Sequence, residues 1–310
     1  MNKLLPGVLI FCLWLLSGCQ QQDAPDAANA SSQFSVIDFA GNPVEMSAPA
    51  RRIIALAPHV VENVYSSGAG DSLVGVVEYS NYPPQATELP IVGGYEKTNH
   101  ERIIELNPDL IIAWQSGNSH SSVKRLKELG YRIYIDQPDS LRDVAKSIRD
   151  IGTLSGTSAT AERVVTEYLE SLSAVEARYK DVDKISSFYQ VWNKPLQTIS
   201  GGHIISDAIE TCGGINIYAD EFAVAPIVNI ESVLERNPDA IIASGMSSAR
   251  PDWLDDWLEW DSLQAVQNNN LFFVDPDHIQ RHTVRLLLGI ESICEQLDQA
   301  RLKKSAPTDN

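Results

Sequence analysis

Apolar and polar positions along this chain follow a regular succession. Short runs of consecutive apolar residues alternate with longer stretches in which apolar residues return every three or four positions. The runs Leu110–Trp114 and Ala240–Ala243 predict strands buried on both faces of a parallel sheet, Ile53–Leu56 predicts a first buried strand, and Leu73–Val77, "YRIYID", "SSFYQVW" and "LFFVDPD" predict further strands. Helical spacing is expected from about His59, in "SSVKRLKELG", in "SLRDVAKSIRDIGTLSG", in "IISDAIETCGG" and in "TVRLLLGIESICEQLDQARLKK". Near the start, "FSVIDFAGNPVEMS" predicts a hairpin turning at Gly41-Asn42-Pro43. Strands alternating with helices make this an α/β chain.

One unit is written twice. "NHERIIELNPDLIIAW", residues 99–114, returns as "NIESVLERNPDAIIAS", residues 229–244. Asn99 and Asn229 suit helix N-caps, an acid follows in each first turn, and Pro108 and Pro238 stop each helix before a buried strand. A period of 130 residues is too long for a solenoid, so the repeat predicts two similar lobes. Between them lies "SATAERVVTEYLESLSAVEARYKDV", with Val164, Tyr168, Leu172, Val175 and Tyr179 at helical spacing and no Gly or Pro. Such a helix spans roughly 30 Å and forms a stiff strut that keeps lobe closure small.

The division expected is a leader at 1–18, a tether at 19–35, a first lobe at 36–150, the connecting helix at 151–183, a second lobe at 184–303 and a tail at 304–310. "MNKLLPGVLIFCLWLLSG" reads as an export signal with one Lys, an apolar centre and a small-residue end. Leu16, Ser17, Gly18 and Cys19 resemble a lipoprotein cleavage box that would leave Cys19 acylated; an ordinary signal cut elsewhere is the other reading. The polar, aperiodic "QQQDAPDAANASSQ" reads as a flexible tether. The chain carries a net charge of −17, one unit more negative once Lys3 leaves with the signal, which argues against a nucleic-acid partner. Cys212 and Cys294 remain as a pair; in an oxidising compartment a disulfide is the natural outcome, and two separate buried thiols the alternative.

Familiar catalytic signatures are missing: there is no P-loop, no G-x-S-x-G and no H-E-x-x-H. Gly201-Gly202-His203 reads as a turn entering a helix, and Asp275, Asp277, His278 and His282 as a polar cleft rim in preference to a metal site. No resident metal or cofactor is expected. Trp253, Trp257 and Trp260 stand at helical spacing and read as packing. Tyr79, Tyr82, Tyr95, Trp114 and Trp192 instead fall at strand ends or in the loops beyond them. Flat side chains converging from two lobes make a slot for a large, planar, mainly apolar ligand.

The order "RRIIALAP", "VGVVEYSNYPPQA", "NHERIIELNPDLIIAW", long helix, "SGGHIISDAIETCGGINIY", "VNIESVLERNPDAII" and "VDPDHIQRHTVRLL" resembles the substrate-binding proteins of the cobalamin (vitamin B12) ABC importer. These belong to a helical-backbone group, class III of the periplasmic binding proteins, that also serves siderophores and haem. The resemblance covers residues 36–302. It implies two Rossmann-like lobes joined by one rigid helix, a monomer without enzymatic activity, and a corrinoid held between the lobes. The implied ligand contacts are Tyr79, Tyr95, Trp114, Trp192 and the second-lobe stretch Asp277, His278, Ile279, Gln280 and Arg281. Tyr95 stands where the family often has Trp, and Ala225 or Pro226 replaces an expected Trp. Cys212 and Cys294 fall on the family's disulfide pair. Glu101 and Glu231 match the two acids with which such proteins dock on the two-fold symmetric permease, one acid per lobe, which accounts for the repeat. The location implied is the periplasm or the outer face of a bacterial membrane, anchored by lipid through Cys19. A haem or ferric-siderophore carrier, with Arg281 and Arg285 facing an anionic ligand, is the alternative, and a metal-dependent hydrolase a remote one.

Overall fold

The computed structural model describes residues 34–94, 97–246 and 248–305. The leader, Cys19 and Tyr95 lie outside the described residues. An antiparallel hairpin, β1 (Ser35–Ile37) and β2 (Pro43–Glu45), opens the fold as its turn residues predict.

The first lobe is built from β3 (Ile53–Ala55), α1 (Pro58–Ser66), β4 (Leu73–Gly75), α2 (His100–Leu106), β5 (Leu110–Trp114), α3 (His120–Glu128), β6 (Ile133–Asp136) and α4 (Asp143–Ser155). Its four strands are parallel in the order β4-β3-β5-β6. Alternate residues supply two separate cores. Ile53, Ala55, Leu110, Ile112 and Tyr134 pack on one face, and Ile54, Ile111, Ala113, Ile133 and Ile135 on the other. Burial on both faces is why these strands read as unbroken apolar runs.

The second lobe carries β7 (Ile185–Gln190), the small hairpin β8 (Trp192–Asn193) and β9 (Leu196–Gln197), α6 (Ile204–Thr211), β10 (Gly214–Asn216), α7 (Ile230–Arg236), β11 (Ala240–Ala243), α8 (Gln264–Gln267), β12 (Leu271–Phe273), α9 (Pro276–Ile279) and α10 (Leu286–Ser305). Its main sheet, β10-β7-β11-β12, is also wholly parallel. In both lobes the second strand lies beside the first, followed outward by the third and fourth. The repeat in the sequence is therefore a repeat of topology.

The repeated Asn-Pro-Asp has its own mechanics. Asn99 and Asn229 accept the amides of Arg102 and Ser232 at 3.0 and 2.8 Å. Each helix ends two residues before its proline, because the intervening Asn107 (φ 44°) and Asn237 (φ 41°) adopt the left-handed conformation that asparagine tolerates. Asp109 then accepts the amides of Arg51 and Arg52, and Asp239 that of Ser186, fixing the start of each lobe's first strand.

The connecting helix, α5, runs from Ser158 to Tyr179. At 1.5 Å per residue it is about 33 Å long. The expected start at 151 is corrected: Ile151–Ser155 form the last turn of α4, which ends at Gly156 (φ 71°). α4 and α5 pack closely because a Cβ at Gly152 would lie 2.4 Å from that of Ala161. Ala161, Val165, Tyr168, Leu172 and Tyr179 share one buried core with Leu141, Val144, Ala145 and Ile148 of the first lobe and Ile204, Ile205 and Ile290 of the second. This continuous apolar seam supports the expectation of small closure. The C-terminal boundary also moves, since α10 continues to Ser305. Trp253 and Trp257 lie on a 3₁₀ segment, Asp252–Glu259, with Trp257 in the core, and Trp260 follows its end, exposed. Cys212 and Cys294 are joined as a disulfide between the end of α6 and α10. Among the described residues no helix is long and apolar enough to cross a membrane.

Candidate functional site

A cleft of about 640 Å³ lies between the lobes. Leu56, Ala57, Pro58 and His59 follow β3, Val77 to Tyr79 follow β4, and Trp114, Gly117 and Asn118 end β5. From the second lobe come Met246 and Ser248 after β11 and Pro276, Asp277, Gln280 and Arg281 after β12. All are at the carboxyl ends of parallel strands. There the crevice opens at the strand where the connection reverses direction, the place α/β sheets hold ligands.

Tyr79 stands at the mouth, 78% exposed, with φ 65°. A non-glycine residue in that region needs support. Arg281 of the opposite lobe donates Nη2 to the Tyr79 carbonyl at 3.2 Å, and the Asn81 amide donates to the same oxygen at 3.0 Å. Trp114 forms a wall. Its amide donates to Asn118 Oδ1 at 2.7 Å, while Asn118 Nδ2 donates to the Leu56 carbonyl at 2.9 Å. Gly117 is required behind the indole, since a Cβ there would sit 1.8 Å from Cε3.

The second-lobe stretch divides by helical rotation. Asp277, Gln280 and Arg281 share the cleft face. Ile279 is corrected: it is fully buried in the second-lobe core and cannot meet a ligand in the cleft. His278 is half-buried and does not line the cleft. Trp192 is also outside the lining, held on the β8–β9 hairpin by its indole N–H to the Lys194 carbonyl at 3.1 Å. Glu101 and Glu231 are exposed at matching positions in the first turns of α2 and α7.

A buried polar seam behind the cleft escaped the sequence reading. His59, Glu62 and Asn63 are 3%, 2% and 0% exposed on one face of α1. Glu62 Oε1 accepts from Arg281 Nη1 at 2.8 Å and Arg285 Nη1 at 3.1 Å, and Asn63 Nδ2 donates to the His282 carbonyl at 3.0 Å. Arg281 also pairs with Asp277 at 2.8 Å, and the Arg285 guanidinium lies 4.0 Å over the Tyr82 ring. Both arginines are therefore engaged with the first lobe through Glu62. Spacing i, i+3, i+4 on α1 was the available signal.

Burial holds the His282 imidazole well below its ordinary value, with His59 and His203 acting in the same direction. Burial likewise pushes His203 down to about 4. His203 caps α6, its Nδ1 accepting the Ile205 amide at 3.1 Å. Asp275 caps α9 in the same way, accepting from the Asp277 amide at 2.9 Å. Among the described residues no group of three or more His, Cys, Asp or Glu is placed to hold a metal ion.

The periplasmic binding protein family matches residues 53–278. The vitamin B12-binding protein of Vibrio parahaemolyticus is 36% identical over 274 residues, 87% of this chain and 96% of that protein. Among solved structures, the periplasmic vitamin B12 binding protein of Vibrio cholerae matches with a TM-score of 0.75 at 37% identity, covering 82% of this chain and 98% of that one. The periplasmic haem-binding protein of Roseiflexus sp. RS-1 has the same fold, with a TM-score of 0.70 at 20% identity over 81% of this chain and 99% of that one. With the match running across most of both lobes and a relative aligned over nearly its full length, this chain belongs to the periplasmic binding protein family.

Proposed function

We propose that this chain captures cobalamin between its lobes, without catalysis or a resident cofactor, and delivers it to an ABC importer. The observation that carries the reading is the cleft. It is about 640 Å³, mainly apolar, faced by Tyr79 and Trp114, and preformed between lobes that share a continuous core. A preformed apolar slot favours a rigid planar ligand because little order is lost on binding. Vitamin B12-binding relatives at more than a third identity support the same ligand. Occupation of Arg281 and Arg285 by Glu62 favours a corrinoid over an anionic siderophore or haem.

Glu101 and Glu231 are the proposed permease contacts. They project from equivalent helices of two topologically equivalent lobes, so a two-fold symmetric partner would meet the same anion twice. Acylation of Cys19 is the proposed membrane anchor, leaving the binding protein as a monomer on the periplasmic side. The ligand reading is tested by equilibrium binding of cyanocobalamin to Tyr79→Ala and Trp114→Ala. Each loses an aromatic wall worth roughly 1–3 kcal/mol, so affinity should fall about ten- to a hundredfold. Unchanged affinity in both would place the ligand elsewhere.

A further inference from the structure

The loop after β4 brings a carboxylate to the cleft wall beside Tyr79. Consecutive residues of an extended strand point to opposite sides. The left-handed φ of 65° at Tyr79 breaks that alternation, and Glu78 and Tyr79 both line the cleft. The Glu78 amide donates to the Gly93 carbonyl at 2.9 Å, which holds the loop against the stretch leading to α2. Gly94 then leaves room for the side chain, since a Cβ there would lie 2.3 Å from Glu78 Oε2 and 2.8 Å from Cδ. The carboxylate therefore lies against the Gly94 backbone, itself part of the cleft wall.

The other charges on the wall are compensated. Asp277 and Arg281 pair with each other at 2.8 Å, and Glu62 holds Arg281 from behind. Glu78 is exposed and has no ion pair among the described residues. A carboxylate only accepts hydrogen bonds. On a mainly apolar wall it suits an N–H donor at the rim of a ligand and opposes a second anion. The corrin ring of cobalamin carries primary carboxamide side arms, whereas haem carries carboxylates. We infer that Glu78 accepts a hydrogen bond from one carboxamide arm of the bound macrocycle and repels a carboxylate in that place, so that it sets specificity for the amidated ring. This rests on the cobalamin reading and makes it more specific. A hydrogen bond to an ionised acceptor is about twice as strong as a neutral one, and like charges set face to face add a penalty against the wrong ligand.

The test compares equilibrium binding of cyanocobalamin with that of its singly hydrolysed derivatives, each isomer carrying a carboxylate in place of one propionamide. The wild-type protein should bind one isomer at least about thirtyfold more weakly than cyanocobalamin. Glu78→Gln keeps the shape of the side chain, removes its charge and supplies a donor. It should weaken cyanocobalamin about threefold and tighten that one isomer about tenfold. Effects of opposite sign on two ligands of the same shape separate a contact from a merely structural role. Because the side chain is exposed, the variant should keep the urea midpoint of the wild type. Acids bound by the wild type as tightly as cyanocobalamin, or a ratio that Glu78→Gln leaves unaltered, would overturn the inference and leave the cobalamin reading standing. An equal gain for every isomer would overturn it in favour of a diffuse field. No binding of cyanocobalamin to the wild type would overturn the reading and the inference together.

Discussion

Replacing Glu62 by Gln removes the one anion that two second-lobe arginines share. Glu62 is 2% exposed, its partners lie at 2.8 and 3.1 Å, and Asp277 adds a second negative charge at 2.8 Å from Arg281. The four charges sum to zero. The amide leaves one uncompensated positive charge and two guanidinium groups turned toward a neutral oxygen. At charge separations of about 4 Å and an effective dielectric constant near 20, each lost pair is worth roughly 4 kcal/mol before desolvation is set against it. Breaking a buried pair by removing one partner costs about 3–5 kcal/mol in practice, and the range applies here because all three groups are buried or nearly so. Urea unfolding at neutral pH, followed by far-UV circular dichroism, measures the loss without adding screening salt. In the Glu62→Gln background, Arg285→Met should restore about 2 kcal/mol by removing the surplus charge, a non-additivity that a double-mutant cycle reads directly. A loss under about 1 kcal/mol, or strict additivity, would refute the claim that this cluster ties the lobes.

Three further outcomes are expected. Because burial lowers His203 to about 4, its contribution is complete above about pH 6.5 and is lost as pH falls toward 4; this histidine should account for roughly 2 kcal/mol of lost stability between pH 7 and 5. His203→Asn, which keeps a capping oxygen, should flatten that part of the urea-midpoint profile, and an unaltered profile would show the loss comes from other groups. Joining residues 82 apart, the Cys212–Cys294 bridge should stabilise by up to about 4.5 kcal/mol on chain-entropy grounds, so the double Ala variant should unfold at clearly lower urea; an equal midpoint would count against it. Glu101→Arg with Glu231→Arg should leave cobalamin binding intact in the isolated protein and abolish uptake in a strain lacking its own copy, each single reversal losing only part. Normal uptake by the double reversal would return both acids to helix capping.

Much of the architecture was readable because the strands are buried on both faces and carry no polar interruption, as in Leu110–Ala113 and Ala240–Ala243. The repeat was readable because it encodes local chemistry: an Asn cap, an Asn stop and an Asp that holds the neighbouring strand. Less was visible where rotation within a short helix decides the outcome. "PDHIQR" looks uniformly polar apart from one Ile, but α9 and the residues just beyond it turn Asp277, Gln280 and Arg281 to the cleft and Ile279 to the core. The seam of His59, Glu62 and Asn63 was least visible, since its partners are as far as 223 residues away and nothing local distinguishes a buried charged pair from a solvated one. Tyr79 and Trp114 could be placed at the cleft because one lies a few residues past the carboxyl end of β4 and the other ends β5. Trp192 was misleading for the same reason, as the β8–β9 hairpin carries it away from the cleft lining.

If the cleft is built for a corrinoid, cobalamin must outbind the other ligands that share this architecture. Equilibrium titration of the purified protein with cyanocobalamin, haem and a ferric hydroxamate siderophore, side by side under one buffer, tests it most directly. Saturable one-to-one binding of cobalamin is expected, at least a hundredfold tighter than either of the others, a gap of about 2.7 kcal/mol. Tight binding of haem or the siderophore with none of cobalamin would contradict it.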